Sequence, residues 1–274
     1  PPTPQLLQGD KLPSAVQTYS TIPNDSFVDN SVTLNLSFGK VRYAQWLISQ
    51  RMPELSFEFL PRSKIPEDDI LDGKTPPCLL RCMVEYESTP QDLVHLMAFG
   101  MTLSSTATIR QWMTDVEYRW MSKFARIHVD ECYMSRGAVH PKHFTLPSVL
   151  TDDPLLLDSP ACGLVAQAHW TALAANIRVP NERRDGEQKS VPSVYGTWLR
   201  ACDRAKCFEA AHILHKAGFR VNGYGSGAIS VRVVLQRITE LLDLARSIGL
   251  VVPRTPAINH EFPNGYAAQQ SSEF

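Results

Sequence analysis

The stretch TATIRQWMTDVEYRWMSKFARIH, Thr106 to His128, carries the clearest periodic signal in the chain. Ile109, Trp112, Met113, Val116, Trp120, Phe124 and Ile127 recur at steps of three or four, which is one face of a 3.6-residue turn. The spacing predicts a single long amphipathic helix with its tryptophans turned to a core. Towards the N-terminus the pattern changes. Val32, Leu34, Leu36 and Phe38 alternate with polar residues over 31–38, as in a half-buried strand. A helix is expected over 40–52, closed by Pro53, then strands near 54–60 and 79–86 with a Pro-rich acidic loop between them. Ser88 or Thr89 with Pro90 behind it marks a helix start, giving a helix near 90–101.

Beyond the long helix, residues 132–159 read as loop. Ser159-Pro160 opens a helix through Ile177, and 178–192 reads as a polar, basic surface loop. Ser193 to Ala217 forms a helix ended by Gly218, followed by a short run at 219–221, a glycine loop and a last amphipathic helix over about 230–248. The fold class expected is mainly α with a small N-terminal α+β portion, a helical core flanked by extended N- and C-terminal arms. Its divisions are an arm at 1–30, the α+β portion at 31–130, the helical portion at 131–249 and a tail at 250–274.

With 274 residues, 43% hydrophobic and 20% charged, the chain can bury its own core without metals or disulfides, and it is no disordered or low-complexity protein. The six cysteines fall at irregular spacings and read as reduced, buried thiols of a reducing, cytoplasmic compartment. No apolar run reaches the roughly 18 residues of a membrane span, so no membrane partner is expected. The opening Pro1, in place of Met, suggests a processed product or part of something longer. Formal net charge is -1, but it is unevenly spread: acids outnumber bases nine to four over 54–92, and bases outnumber acids thirteen to seven over 178–254. Such asymmetry suits a polyanion groove or head-to-tail packing of copies.

Candidate chemistry is sparse. His128, Cys132, His140 and His143 combine imidazole and thiol ligands of the kind zinc takes, though at no established spacing. Cys202, Cys207, His212 and His215 fall inside one predicted helix, where steps of five residues scatter them round the axis. Gly223-Tyr224-Gly225-Ser226-Gly227 sits where backbone amides can cradle a phosphate, without the lysine or spacing of a nucleotide-binding loop. No catalytic residue, metal or cofactor is assigned.

An extended arm, a compact helical core and an extended tail together resemble the viral coat and nucleocapsid-type assembly proteins, by organisation and not by motif. Proline-rich, polar ends would gain order from neighbouring copies. That resemblance implies a non-enzymatic, self-assembling capsid or helical coat subunit in the cytoplasm and the virion. It would package RNA through phosphate contacts from Arg178, Arg183, Arg184, Arg200, Arg204, Arg220 and Arg232, with Tyr224 stacking on bases. The alternative is an enzyme of unfamiliar type, with a metal at His128, Cys132, His140 and His143 or a phosphate at Gly223–Gly227. An adaptor domain built on the N-terminal strands is a third reading.

Overall fold

A computed structural model describes residues 6–8, 31–86, 97, 108–141, 145–150, 152–153, 156–157, 159–180 and 186–252. The chain runs β1 (Leu6–Gln8), β2 (Ser31–Phe38), α1 (Lys40–Ile48), β3 (Met52–Pro53), β4 (Ser56–Pro61), α2 (Glu67–Leu71), β5 (Cys78–Glu85), β6 (Thr108–Thr114), α3 (Asp115–Met121), β7 (Arg126–Ser135), β8 (Ala138–Val139), α4 (Pro160–Leu173), β9 (Asn176–Pro180), β10 (Gln188–Pro192), α5 (Val194–Lys216), β11 (Arg220–Gly225), β12 (Ala228–Val234), α6 (Ile238–Ser247) and β13 (Leu250–Val251). The strands form four antiparallel sheets: β1-β4-β7-β5-β6, β11-β12-β2-β13, and the pairs β10-β9 and β3-β8. This is an α+β fold, which corrects the mainly-α expectation.

The correction centres on the opening stretch. Residues 108–128 are not one helix but β6, α3 and the start of β7. The apolar steps of three and four arise because each short element buries its own residues. Thr114 breaks the run: its hydroxyl accepts from the Glu117 amide while the Glu117 carboxylate accepts from the Thr114 amide, a capping box that starts a helix at Asp115. The last helix is likewise shorter than expected, because 228–234 is β12, paired along its length with β2. Residues 176–192, expected to end one helix and continue as loop, pair as the ribbon β9-β10. The boundary expected near 130 falls inside β7, and β2 joins the C-terminal strands, so the two portions share a sheet. Strands over 31–38, 56–61 and 78–85, the helix from Pro160 and the helix ending at Gly218 (φ 79°) agree with the spacing. Most of the helix expected near 90–101 and nearly all of both arms lie outside the described residues.

Helix α5 is the hub. It packs against α3, β11 and α1, and Trp198, Leu199, Cys207, Phe208 and Leu214 on it are buried. Its burial includes adjacent charges, Asp203 and Arg204, both with no exposure. Arg204 donates to Glu117 of α3 through Nε (3.0 Å) and a terminal nitrogen. The other Glu117 oxygen accepts from Thr114 (3.0 Å from both its amide and its hydroxyl). Asp115, one residue from the cap, accepts from Trp198 Nε1 (2.8 Å), from the Cys78 amide (3.2 Å) and from Arg119 (2.7 Å). The first turn of α3 is thereby bolted to α5 on one side and β5 on the other.

Asp203 fastens the second sheet. Its Oδ1 accepts from the Tyr43 hydroxyl (2.6 Å) and the Gly227 amide (2.8 Å), and its Oδ2 from the Ser226 amide (2.8 Å). Burial first, then the Asp203 charge, pushes the Tyr43 phenol far above its ordinary range, so it stays a donor. The turn is tight: Ser226 has φ 53°, Gly227 φ 70°, and a Cβ on Gly227 would meet the Tyr43 ring at 2.8 Å.

Removing one partner of a buried ion pair strands the other. Arg204→Met is therefore expected to lower stability by about 3–5 kcal/mol, whereas the double variant with Glu117→Gln recovers much of that loss. Urea denaturation of both variants checks it, and equal losses would show that the pair does not couple α3 to α5. Gly227→Ala combines positive φ with the Tyr43 overlap and should cost roughly 2–3 kcal/mol by the same measurement.

Candidate nucleic-acid interface

Strand register decides which of the expected phosphate contacts come together. Arg220 of β11 stands directly opposite Arg232 of β12, and Arg232 opposite Thr33 of β2. Ser230 faces Asn35 one step along. Residues opposite one another share a side of the sheet, as do residues two apart. One side thus carries Arg220, Arg232, Ser230, Thr33, Asn35 and Ser37. The other carries Val221, Tyr224, Ile229, Val231, Val233 and Leu36, all buried. The strands SVTLNLSF, RVNGYG and AISVRVV contain no carboxylate. Arg232 Nε donates to Ser31 Oγ (2.8 Å), which holds its guanidinium over the first residue of β2.

Two expected contacts are corrected. Arg204 lies in the interior, committed to Glu117, and offers nothing to a phosphate. Tyr224 is buried, edge-on to Phe208 at 5.9 Å, because its place in β11 turns it inward, so it cannot stack on a base. Arg178 is exposed on β9, opposite Ser190. Arg200 is half-buried on α5. Arg183 and Arg184 lie outside the described residues.

The expected phosphate cradle at Gly223–Gly227 is real as a geometry but already filled. The amides of Ser226 and Gly227 converge on an anion, and the anion is the chain's own Asp203. No residue pattern around the glycines signals this. The signal lay at a distance, in an aspartate set among the apolar positions of a helix. The expected metal ligands do not converge either. A register shift between Arg81 and Cys82 puts His128 opposite Met83 and Cys132 opposite Leu80, hence on opposite sides of the sheet. Cys132 is buried, His128 Nε2 lies 3.4 Å from Glu85, and His143 lies outside the described residues. Among the described residues no group of three His, Cys, Asp or Glu is arranged to hold a metal. Cys202, Cys207, His212 and His215 all belong to α5, and burial raises the Cys202 thiol to about 12. No helix among the described residues is long and apolar enough to cross a membrane.

Comparison with known proteins places the chain in no family: no family model and no curated protein matches it. Among solved structures it is similar to Phi29 DNA polymerase complexed with primer-template DNA and incoming nucleotide substrates, with a TM-score of 0.48, 13% identity, and 78% of this chain and 41% of that chain covered. The same polymerase complexed with single-stranded DNA gives 0.49, 13%, 79% and 41%, and its orthorhombic crystal form 0.49, 13%, 79% and 42%. The chain spans about two fifths of that polymerase. These are structures of an enzyme and not of a coat protein. The capsid expectation is corrected by the fold itself, since the helical core it required is an α+β arrangement with four antiparallel sheets. The arms on which the coat reading rested lie, apart from Leu6–Gln8 and 250–252, outside the described residues.

Proposed function

We propose that this chain is a nucleic-acid-binding domain whose contact surface is the outer side of the β2-β12-β11 sheet. The observation that carries the reading is Arg220 directly opposite Arg232 on strands without a carboxylate. A phosphate between the two guanidiniums would accept charge-assisted hydrogen bonds from both strands. Thr33, Asn35 and Ser230 beside them supply hydroxyl and amide donors for sugar and phosphate oxygens, a set that positions a backbone without reading sequence. Arg178 on the β9-β10 ribbon, Arg183 and Arg184 in its connection, and Arg200 on α5 are the further cations we assign to this activity.

Binding by phosphate neutralisation releases counterions, so affinity falls steeply with salt. Replacing both Arg220 and Arg232 by glutamine, which keeps a donor for Ser31, should weaken binding of a labelled single-stranded oligonucleotide on the order of tenfold. It should also flatten the slope of log affinity against log salt by about 1.5. Fluorescence anisotropy from low to moderate salt reads both quantities. An unchanged slope in a double variant that melts like the parent would sink the proposal.

A further inference from the structure

Among the described residues the five-stranded sheet has a partly exposed side of its own, and its chemistry differs. We infer that this side is a base-stacking surface for single-stranded nucleic acid. The inference takes its ligand class from the function proposed above but places a separate site on a separate sheet.

Register again assigns the sides. Phe59 of β4 stands opposite Tyr133 of β7, and Trp112 of β6 opposite Arg81 of β5, which in turn faces Glu131. With Met83 opposite Arg110 and His128, and Glu85 opposite Arg126, one side carries Phe59, Tyr133, Trp112, Arg81, Arg110 and Arg126. The opposite side, with Leu80, Cys82, Val84, Met113, Val129 and Cys132, is buried, whereas the aromatic side is buried only at the end formed by Phe57, Leu79 and Thr114. The three rings form a ladder across the strands: Phe59 to Tyr133 at 5.5 Å and 55°, Tyr133 to Trp112 at 5.6 Å and 31°. Phe59 is 38% exposed, and Tyr133 and Trp112 are half-buried.

Cross-strand aromatic pairs stabilise a sheet, but that role requires neither an exposed ring nor flanking arginines. Charge selects the occupant. The two carboxylates on this side are engaged, Glu131 with Arg81 at 2.7 Å and Glu85 with His128 at 3.4 Å. Arg110 and Arg126 add positive charge beside the rings and are both exposed. Rings that offer π-faces next to cations suit unpaired bases on a phosphate backbone, and a duplex hides the base faces that such rings need.

The test compares an eight-nucleotide oligothymidylate with an abasic strand of equal length, by anisotropy. The parent should prefer the strand with bases by roughly tenfold, and Phe59→Ala and Trp112→Leu should each erase most of that preference without altering the salt slope. Thermal melting controls for folding. Should Trp112→Leu melt low, Phe59→Ala carries the test, since its ring is already exposed. Equal binding of the two strands by the parent overturns the inference, as do variants that keep the preference. Loss of the Arg220 and Arg232 guanidiniums should flatten the salt slope and leave the base preference intact, so the two sites fail separately. Competition by polyglutamate at the aromatic side, with no preference for bases, would reassign the surface to an acidic protein partner and overturn the inference as well.

Discussion

Asp203 and Arg204 are neighbours in the chain, and successive residues on a helix point about 100° apart. A single step along α5 therefore sends a buried anion towards one sheet and a buried cation towards the other. The anion is met by Tyr43 and the hairpin turn, the cation by the capping carboxylate of α3. Turning α5 or sliding it by one residue would leave both charges without partners in an apolar interior, a far larger penalty than the loss of a few apolar contacts. Hydrophobic burial alone tolerates such slippage, because leucine packs against leucine in many registers. The two charges remove that freedom, and they fix how the β5-β6-β7 region and the β11-β12 hairpin stand relative to one helix.

The hairpin shows how an anion site and a structural clamp can share one geometry. Two successive amides at a glycine turn make a concave positive end whatever fills it. Here a carboxylate from the same chain fills it, with a phenol whose proton is held in place by burial. The clamp in turn decides where the arginines stand. With Gly227 fixed against Tyr43, Ala228 begins β12 at Ser37, and the register that follows places Arg232 against Thr33 and Arg220. A turn that resembles a ligand site thereby sets the placement of the arginines through register.

Much of this was legible in the residues where one period applied over one element. The alternation of Val32, Leu34, Leu36 and Phe38 marked β2, and Ser193 and Gly218 marked the limits of α5. What failed was the assumption that a period kept for twenty residues belongs to one element. Trp112 and Met113 lie on β6 while Val116 and Trp120 lie on α3, and no side-chain spacing separates those cases. The separating signal was Thr114 with Glu117 three residues on. It went unread because a capping pair inside an apolar stripe resembles ordinary polar punctuation. The same error hid the aromatic ladder, since residues placed on a helix cannot be set opposite Arg81. Arg204 was misjudged for a different reason. Sequence shows a cation, but only the fold shows Glu117 arriving from 87 residues away.

A chain with a net charge of -1 can hold a polyanion only by arranging its charges, not by their sum. Nine of its acids fall between Glu54 and Asp92, with Glu67, Asp68, Asp69 and Asp72 in and just after α2, and none lies on β2, β11 or β12. The lack of acids on those three strands is weak testimony by itself, because strands disfavour Asp and Glu in any case. Arginine opposite arginine is stronger, since it sets two guanidiniums side by side on one face of the sheet. On the described strands the side chains around it are short, polar and uncharged, and they offer donors to an incoming phosphate. The pair of arginines is where these strands concentrate positive charge, and concentrated charge is what the field of a polyanion responds to.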